Sequence, residues 1–559
     1  MRWIVATSVT IGFLSGISSA QSVSDGLPDL MFPDVVGVNT HFVAGHTKDL
    51  DMIAAAGFKF IRQDVSWAKT EAVRGKYNWS AYDSLMADVD QRGIRMLFTL
   101  NYNNPLYGEE DLHWGPQNAA NIEAYAQWAG AAARHFADRH ILWEIWNEPN
   151  TFTFWKPTPD ANQYVALALA TCKAIRAADP KARIVGPAMA GLTRNFAGDV
   201  ARHDLGLRGR FNWDFVTSVL ASEVVPYLEG FSVHCYRDNP PEPPETVGDQ
   251  FKVLKEIMAK YLPPGKKIPI ISGEWGYTTC VCNEGVFPQT QADWIARMQI
   301  FNLYSGIPLS IWYDWKDDGT DPAQKGQHRG LVTHDLRLKP SYVAMTTLTH
   351  QLEGYRMTRR LKTSSALDFV FVLTNSRGDV KVAAWTQGET HTVTFSPAKL
   401  SLAPSTKKIW CIDGNAEIRS IRVTANGFTA ELDGTPKYLS AVSPAPVPHF
   451  EVPVPSTPEL ASPASMATET PRNAALSWNA SASSFPIRYR VQVATDPAVV
   501  ADGSFKDSNI VSESTVTDVT LHSPRPLDSG KTYYWHVRAL VAGGQGDYSS
   551  VRSFKTGSH

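Results

Sequence analysis

The strongest constraint on the fold is an alternation of short apolar runs and longer amphipathic runs from about residue 33 to residue 350. In the longer runs apolar residues recur at three-to-four spacing, which is typical of helices that bury one face. The short runs, predicted to be strands, cover residues 35–39, 58–64, 95–102, 141–147, 183–188, 230–236, 268–274 and 308–315. Eight strand-then-helix units predict an α/β fold of the (β/α)8 TIM barrel type. An open doubly wound sheet is the alternative, but no glycine-rich phosphate loop follows the first strand.

The pattern changes to a two-residue alternation after the predicted barrel, which we place at residues 30–354. Residues 355–445 contain short strands separated by turn residues, and we predict a β-sandwich accessory domain. Residues 446–463 are rich in Pro, Ser and Ala and are predicted to be a stiff linker. Residues 464–557 are predicted to form a second sandwich, because strands recur at regular spacing. This last domain resembles a fibronectin type III module in Trp478, in Tyr489-x-Val-x-Val and in the Tyr-Tyr-Trp-His-Val-Arg run at 533–538.

The N-terminus has the pattern of a signal peptide, which we place at residues 1–20. Arg2 supplies the positive start, an apolar stretch follows, and small residues end it at Ala20. We therefore expect a secreted or periplasmic protein without a membrane span in the mature chain; a retained anchor is the alternative, although the apolar run is short and broken for a span. The formal net charge is −2, and without a basic excess no nucleic-acid partner is expected.

The chain has five cysteines, Cys172, Cys235, Cys280, Cys282 and Cys411. Export permits disulfides, and the odd number leaves at least one thiol unpaired. We expect one bridge, with Cys235 and either Cys280 or Cys282 as candidates, although connectivity cannot be read from a sequence. Cys280 and Cys282 are too close for a zinc ribbon and no His pair accompanies them. We predict no catalytic metal and no cofactor.

Two glutamates stand where predicted strands end. The fourth strand leads into Trp-Asn-Glu148-Pro-Asn, and the seventh ends in Ser-Gly-Glu274-Trp-Gly. Because the active site of such a barrel lies at the carboxyl ends of its strands, both side chains should face each other across the mouth. Glycoside hydrolysis needs two facing carboxyl groups, one protonated and one ionised, and a separation of about 5–5.5 Å gives retention of configuration.

These two motifs resemble those of the large clan of (β/α)8 glycoside hydrolases that use two catalytic glutamates. Within the clan the chain is most similar to glycoside hydrolase family 39, because of Asn-Glu-Pro-Asn at 147–150, the barrel-then-sandwich order and the opening Gly-Val-Asn-Thr-His at 37–41. Family 5 and other relatives in the clan remain alternatives. The resemblance covers about residues 30 to 445 and implies a retaining O-glycosidase that works by double displacement.

The resemblance implies roles residue by residue. Glu148 matches the general acid/base and Glu274 the nucleophile. Asn147 matches the residue that holds the sugar 2-hydroxyl, and Arg62 matches a cation that keeps the nucleophile ionised. Glu144 has the same strand parity as Glu148 and lies deeper in the barrel, so we expect it to be the structural partner of an arginine.

Further residues at strand ends are predicted to contact the sugar. Tyr236 matches a tyrosine that hydrogen-bonds the nucleophile, and Trp312 matches a ring that forms the floor of the sugar subsite. His234 is either a sugar contact or a hydrogen-bonded wall residue. The other candidates for sugar binding are His41, Trp67 and Tyr102.

The sequence thus predicts a secreted retaining glycosidase whose partner is an oligo- or polysaccharide with, by the resemblance, β linkages. No cluster of Arg or Lys singles out a uronic acid, so an acidic sugar is disfavoured. Two alternatives keep the same fold: an inactive, glycan-binding relative, and a transglycosylase that uses a sugar acceptor. The sequence leaves open whether cleavage occurs within chains or at their ends, which sugar is recognised and the oligomeric state.

Overall fold

The computed structural model describes residues 26–191, 213–237, 239–242, 247–522 and 526–558. Its first part is a closed barrel of eight parallel strands that follow one another in chain order, which confirms the predicted (β/α)8 fold. The strands are β1 (Val36–Asn39), β2 (Phe60–Ser66), β3 (Arg95–Asn101), β4 (Leu142–Ile145), β5 (Arg183–Met189), β6 (Leu228–His234), β7 (Ile270–Trp275) and β8 (Ser310–Trp312). The predicted signal peptide at residues 1–20 lies outside the described residues.

Helices pack around the outside of the barrel. Two long helices begin after Asn118 and Asp160, whose side chains accept one and two hydrogen bonds, respectively, from backbone N–H groups of the first turn. These two helices approach closely at Gly130, where an added Cβ would lie 3.1 Å from the Ala174 carbonyl oxygen. The α-helices are α1 (Thr47–Ala55), α2 (Trp67–Thr70), α3 (Ser80–Asp90), α4 (Ala119–His135), α5 (Ala161–Ala178), α6 (Trp213–Leu220), α7 (Val247–Tyr261), α8 (Pro288–Tyr304) and α9 (Pro340–Gln351). Within the described ranges no helix has the length and apolar character needed to cross a membrane.

Some barrel strands end earlier than the apolar runs suggested. The fourth was predicted to reach residue 147 but ends at Ile145, because Trp146 adopts a left-handed φ of 66°. The eighth was predicted over 308–315 but spans only Ser310–Trp312. The residues just beyond these strands are therefore held in loops at the carboxyl-terminal rim, where Glu148 and Tyr313 stand.

A second domain of antiparallel sheets follows the barrel. Its larger sheet has the order β14-β13-β16-β11-β10-β9, and β12 pairs with β15 in a two-stranded sheet. Alternation along β10 explains the packing, because Phe369 and Phe371 join the barrel core while Val370 and Val372 join the core of this domain. The strands are β9 (Arg356–Leu361), β10 (Asp368–Thr374), β11 (Val380–Thr386), β12 (His391–Phe395), β13 (Lys408–Asp413), β14 (Ile418–Arg422), β15 (Phe428–Leu432) and β16 (Lys437–Ser440).

The C-terminal residues form two further sheets around a separate core that includes Trp478, Tyr489 and Trp535. The predicted β-sandwich is therefore confirmed. Its strands are β17 (Leu460–Ser462), β18 (Ala467–Thr470), β19 (Ala475–Trp478), β20 (Arg488–Ala494), β21 (Ile510–Val516), β22 (Thr520–His522), β23 (Thr532–Val541), β24 (Gly544–Tyr548) and β25 (Arg552–Thr556).

The segment predicted to be a linker is attached to its neighbours rather than free. β17 begins inside it, at Leu460, and Phe450 is buried against the backbone of Gly543. Arg488 Nη1 lies 3.4 Å from Asp413 Oδ2 of the middle domain, and Arg490 pairs with Glu417 beside it. These charges are largely removed from water, where an ion pair is screened less than at an open surface. The C-terminal sandwich is thus docked on the middle domain.

Candidate active site

A cavity of about 510 Å³ opens at the carboxyl ends of the barrel strands, where the sequence predicts the active site. It is lined by Asn39, His41, Arg62, Asp64, Tyr102, Asn147, Glu148, Phe154, Tyr236, Arg237, Glu274, Gly276, Tyr277, Thr278, Glu284, Tyr313, Lys325 and Arg329. The lining combines aromatic rings with charged and amide groups, which is the composition expected where sugar faces stack and hydroxyls are hydrogen-bonded.

Glu148 is presented by a constrained turn after β4. Its φ is 47°, in the left-handed region that costs a non-glycine residue free energy. Two backbone hydrogen bonds fix the turn: Glu148 N–H donates to the Ala188 carbonyl at 3.0 Å, and Thr151 N–H donates to the Glu148 carbonyl at 3.0 Å. The side chain remains 15% exposed at the cavity wall, so it is accessible from the mouth.

Glu274 lies within β7 and is held by three groups. Arg62 Nη1 donates to Oε1 at 2.6 Å, and the Tyr236 hydroxyl donates to Oε2 at 2.7 Å. His234 Nδ1 stands 3.6 Å from Oε2. Burial alone would raise the pKa of Glu274, but the charges of His234 and Arg62 and the hydrogen bond from Tyr236 together hold this pKa below its usual value. Glu274 is therefore ionised at neutral pH.

Arg62 organises the floor of the cavity. Its Nε donates to Glu144 Oε2 at 2.7 Å, which confirms Glu144 as the structural partner of an arginine. Its Nη2 donates to Asn147 Oδ1 at 2.7 Å and its Nη1 to Asn39 Oδ1 at 3.1 Å. With Asn147 Oδ1 engaged in this way, its amide nitrogen has no acceptor among the described residues and lines the cavity.

His234 is a buried residue that lies close to both glutamates. Its Nδ1 lies 2.8 Å from Glu148 Oε1 as well as near Glu274, and the ring is fully buried. Burial opposes the charged form, but Glu274 and Glu148 outweigh it and raise the pKa of His234. Of the two roles considered for His234, the structure supports the hydrogen-bonded wall residue, since the ring does not line the cavity.

The two glutamates meet at a short distance. One carboxylate oxygen of Glu148, one of Glu274 and a ring nitrogen of His234 all lie within 4.8 Å of one another. A gap of at most 4.8 Å between these oxygens lies nearer the separation of about 5–5.5 Å that retaining glycosidases use than the roughly 6.5–9.5 Å of inverting ones.

The structure does not bring every predicted contact to the cavity. His41, Tyr102 and Tyr236 line it, whereas Trp67 and Trp312 are fully buried and do not. The expected sugar contacts of these two tryptophans are therefore corrected. Trp67 Nε1 donates to Glu71 Oε2 at 2.6 Å within an aromatic cluster between helices, and Trp312 Nε1 donates to the Arg329 carbonyl at 3.1 Å.

Several residues that line the cavity were not predicted from the sequence. Tyr313 directly follows the end of β8 and its ring lines the cavity, while its hydroxyl lies 3.0 Å from His41 Nε2. Asp64 is two residues beyond Arg62 and so shares its face of β2, a parity signal that the sequence did contain. Lys325 and Arg329 come from the long loop after β8, where no periodicity announces which side chains point inward.

The disulfide in the structure is not the one that we predicted. Cys280 pairs with Cys282 within one loop at the rim, while Cys235 is a buried free thiol next to Ser272. The predicted bridge to Cys235 is therefore wrong, because that side chain points into the barrel wall.

Among the described residues, two groups could hold a metal ion, Glu148/His234/Glu274 and His41/Asp314/Asp318. The first is the carboxylate pair itself. In the second, burial beside Asp318 and Asp317 raises the pKa of Asp314 well above its usual value, which favours the neutral acid over a ligating carboxylate.

The sequence of this chain is similar to those of known glycoside hydrolases. A family model described as cellulase (glycosyl hydrolase family 5) matches residues 32–319. Another, described as the Rha78A-like N-terminal immunoglobulin domain, matches residues 456–559, so the fibronectin-like sandwich is of the immunoglobulin-like kind. A β-xylosidase from Geobacillus stearothermophilus is 26% identical over 266 residues, which are 43% of this chain and 51% of that protein. The chain thus spans about half the length of this curated relative.

Solved structures show the same architecture. A family 39 glycoside hydrolase from Bacteroides cellulosilyticus matches with a TM-score of 0.61 and 23% identity, covering 75% of this chain and 82% of that one. A family 39 β-xylosidase from Caulobacter crescentus matches with a TM-score of 0.52 and 16% identity, covering 74% and 96%. At these identities the matches establish the fold. The fold is thus like that of family 39 enzymes. Because the cellulase model covers more than half of the chain, the chain belongs to the family described as cellulase (glycosyl hydrolase family 5), in the clan of (β/α)8 glycoside hydrolases.

Proposed function

We propose that this protein is an exported, retaining glycoside hydrolase in which Glu274 is the nucleophile and Glu148 the general acid/base. The observation that carries the proposal is the meeting of two carboxyl groups within 4.8 Å in unlike surroundings. Glu274 is held ionised by Arg62 and Tyr236, whereas Glu148 contacts neither an arginine nor a lysine among the described residues. Such a difference in surroundings lets one carboxyl group act as the ionised nucleophile and the other as the proton donor.

The first step forms a covalent intermediate. A Glu274 oxygen attacks the anomeric carbon while the proton of Glu148 passes to the leaving glycosidic oxygen, so one C–O bond forms as another breaks. Asn147, fixed by Arg62, is placed to hold the sugar 2-hydroxyl through its amide nitrogen. That hydrogen bond strengthens as positive charge develops on the ring.

The second step reverses the roles of the first. Glu148, now ionised, takes a proton from water as the water oxygen attacks the anomeric carbon and Glu274 departs. As Glu274 leaves, Arg62 and the Tyr236 hydroxyl stabilise its returning negative charge. Two inversions give net retention, and the product leaves with both glutamates in their starting protonation states.

The stereochemistry of the first product tests the proposal. Because a β-xylosidase is among the relatives, an aryl β-xyloside is the first substrate to try, followed by other aryl β-glycosides. Proton NMR during the first minutes should show the β-anomer of the released sugar before mutarotation. Early appearance of the α-anomer would mean inversion, and glycan binding without turnover on the whole panel would favour the inactive, glycan-binding alternative. With added alcohol, a new glycoside in place of free sugar would indicate transglycosylation.

We further propose that export depends on residues 1–20, whose charged, apolar and small-residue segments fit a cleaved signal peptide. The disulfide between Cys280 and Cys282 supports this, since disulfides persist mainly outside reducing cytosol.

His234 should set the acidic limit of activity. Its pKa is raised by Glu274 and Glu148 against the effect of burial, which favours the charged ring, and this charge helps to lower the pKa of Glu274. In His234→Asn the cation is lost, the pKa of Glu274 rises, and the acidic limb of the kcat/KM profile should move to higher pH. Asparagine keeps an N–H donor, so an unmoved acidic limb together with a uniform loss of rate would assign His234 a purely structural role.

A further inference from the structure

The cavity carries more positive charge than the two proposed catalytic glutamates require. Arg62 is fully engaged by Glu144 and Glu274. Of the three other cations in the lining, Arg237 follows β6 and donates to Gln250, whereas Lys325 and Arg329 lie on the side of the cavity formed beyond β7 and β8. They come from the loop after β8 and approach the site only in the folded chain, so they form no basic cluster along the sequence.

Arg329 is placed by its own backbone. Its carbonyl accepts the Trp312 Nε1–H at 3.1 Å, which ties the loop to the end of β8. The guanidinium carbon lies 5.4 Å from the centroid of the Tyr236 ring, and Tyr236 in turn donates to Glu274. Gly276 leaves the room for this side chain, since a Cβ there would approach Arg329 Cδ to 3.3 Å. Arg329 therefore lies near the tyrosine that hydrogen-bonds the proposed nucleophile.

The Arg329 guanidinium lacks a carboxylate partner. No Asp or Glu of the described residues lies within ion-pair distance of it, and its Nε is buried without a hydrogen-bond acceptor. A guanidinium presents a planar fork of donors that fits a carboxylate in two parallel hydrogen bonds. A partly buried fork without an acceptor is costly unless a ligand supplies one.

Lys325 can join such a ligand. Its Nζ lies 3.3 Å from Glu284 Oε1, and the two side chains are 46% and 44% exposed. Exposed pairs of this kind contribute little stability, so exchange of Glu284 for another anion costs little. The two cations thus offer one directional and one adaptable contact at the same wall.

We propose that the substrate of this enzyme carries an acidic sugar whose carboxylate, as in a uronic acid, is bound by Arg329 with Lys325 beside it. The inference rests on the proposed glycosidase function and reverses the expectation from sequence that an acidic sugar is disfavoured. Discrimination follows from the unpaired fork: a neutral sugar offers Arg329 only uncharged hydroxyl acceptors in place of the two carboxylate oxygens that the fork fits, and sites built around such a polar contact reject analogues that lack it.

The wild-type enzyme provides the first test. Glucuronoxylan, hyaluronan, alginate and polygalacturonate are assayed as native polymers and after reduction of their carboxyl groups to hydroxymethyl groups. We expect a cleaved polymer to lose at least about 100-fold in rate on reduction. Equal rates before and after reduction would overturn the proposal, and so would cleavage of carrageenan, whose anions are sulfate esters, in preference to every uronate polymer.

Inhibition by free sugars is a second test of the proposal, and it does not require a polymer that the enzyme cleaves. Glucuronate, galacturonate and mannuronate are each compared with the neutral parent sugar as inhibitors of aryl glycoside hydrolysis. At least one acid should inhibit about ten-fold more strongly than its parent, with the difference shrinking as salt is added. If no acid exceeds its neutral parent, the carboxylate subsite does not exist.

Variants assign the effect to one residue. Arg329→Gln should lower kcat/KM on the acidic substrate about 100-fold and on its carboxyl-reduced form less than about 3-fold, which removes the discrimination. Arg337→Gln is the matched control, because Arg337 lies in the same loop but pairs with Asp335 at the surface. Equal losses on both substrates would reduce Arg329 to a structural residue. Retained activity in Glu274→Ala would instead refute the glycosidase mechanism, so the two failures are distinguishable.

Discussion

Glu274→Ala is expected to lower kcat on aryl β-glycosides by at least about 10⁴-fold, a loss of about 5.5 kcal/mol of transition-state stabilisation. The variant removes the only carboxylate that Arg62 and Tyr236 both hold in the described cavity. Folding should survive, because Arg62 keeps its 2.7 Å contact with Glu144 and does not become an unpaired buried charge. Thermal unfolding alongside the kinetics checks this.

Azide distinguishes a lost nucleophile from a damaged site. The truncated side chain leaves room for the small anion, which should restore turnover and release a glycosyl azide of inverted configuration, because only one displacement then occurs. Glu229→Ala is a suitable control, since that glutamate lies on β6 and pairs at 3.2 Å with Arg183 away from the cavity. Substantial activity without azide, or a rescued product of retained configuration, would remove Glu274 from the nucleophile role.

The site residues at the ends of strands were the ones that could be predicted from the sequence. A parallel barrel brings the carboxyl ends of all its strands to one rim, so residues that follow separate apolar runs become neighbours. That argument predicted that Glu148 and Glu274 share one cavity, and the resemblance to the glycosidase clan implied that Arg62 and Tyr236 lie beside Glu274; all four line the cavity. It also put Glu144 below the rim against an arginine, as the structure shows.

The same argument failed where a strand stops early. β8 ends at Trp312, and the next residue, Tyr313, is the one that faces the cavity. Since side chains alternate along a strand, an error of one residue at its end exchanges the buried ring for the exposed one. Strand ends depend on loop packing, such as the hydrogen bond from Trp312 to the Arg329 carbonyl, and local sequence does not encode that contact.

The side-chain directions of loop residues could not be predicted from the sequence either, because they too depend on tertiary contacts. Lys325 and Arg329 belong to a segment with little regular structure, so neither parity nor helical spacing assigns a direction to their side chains. The direction is decided by tertiary contacts. One of them is the close approach of Gly276 to the Tyr313 carbonyl, which leaves no space for a Cβ. The loop side chains that line this cavity are therefore identified by the folded structure and not by sequence pattern.

Glu148→Ala should separate the two steps of the reaction by leaving-group quality. A poor leaving group needs the proton of Glu148, so kcat/KM for an alkyl or unactivated aryl glycoside should fall about 10³-fold, whereas a dinitrophenyl glycoside should lose less than about 10-fold. With no base to activate water, the glycosyl-enzyme should accumulate on the activated substrate and lower KM. Azide should then speed turnover and give a glycosyl azide of retained configuration, opposite to the product expected from Glu274→Ala. Equal losses on good and poor leaving groups would show that no proton comes from Glu148, and the turn that holds it at φ 47° would then serve binding alone.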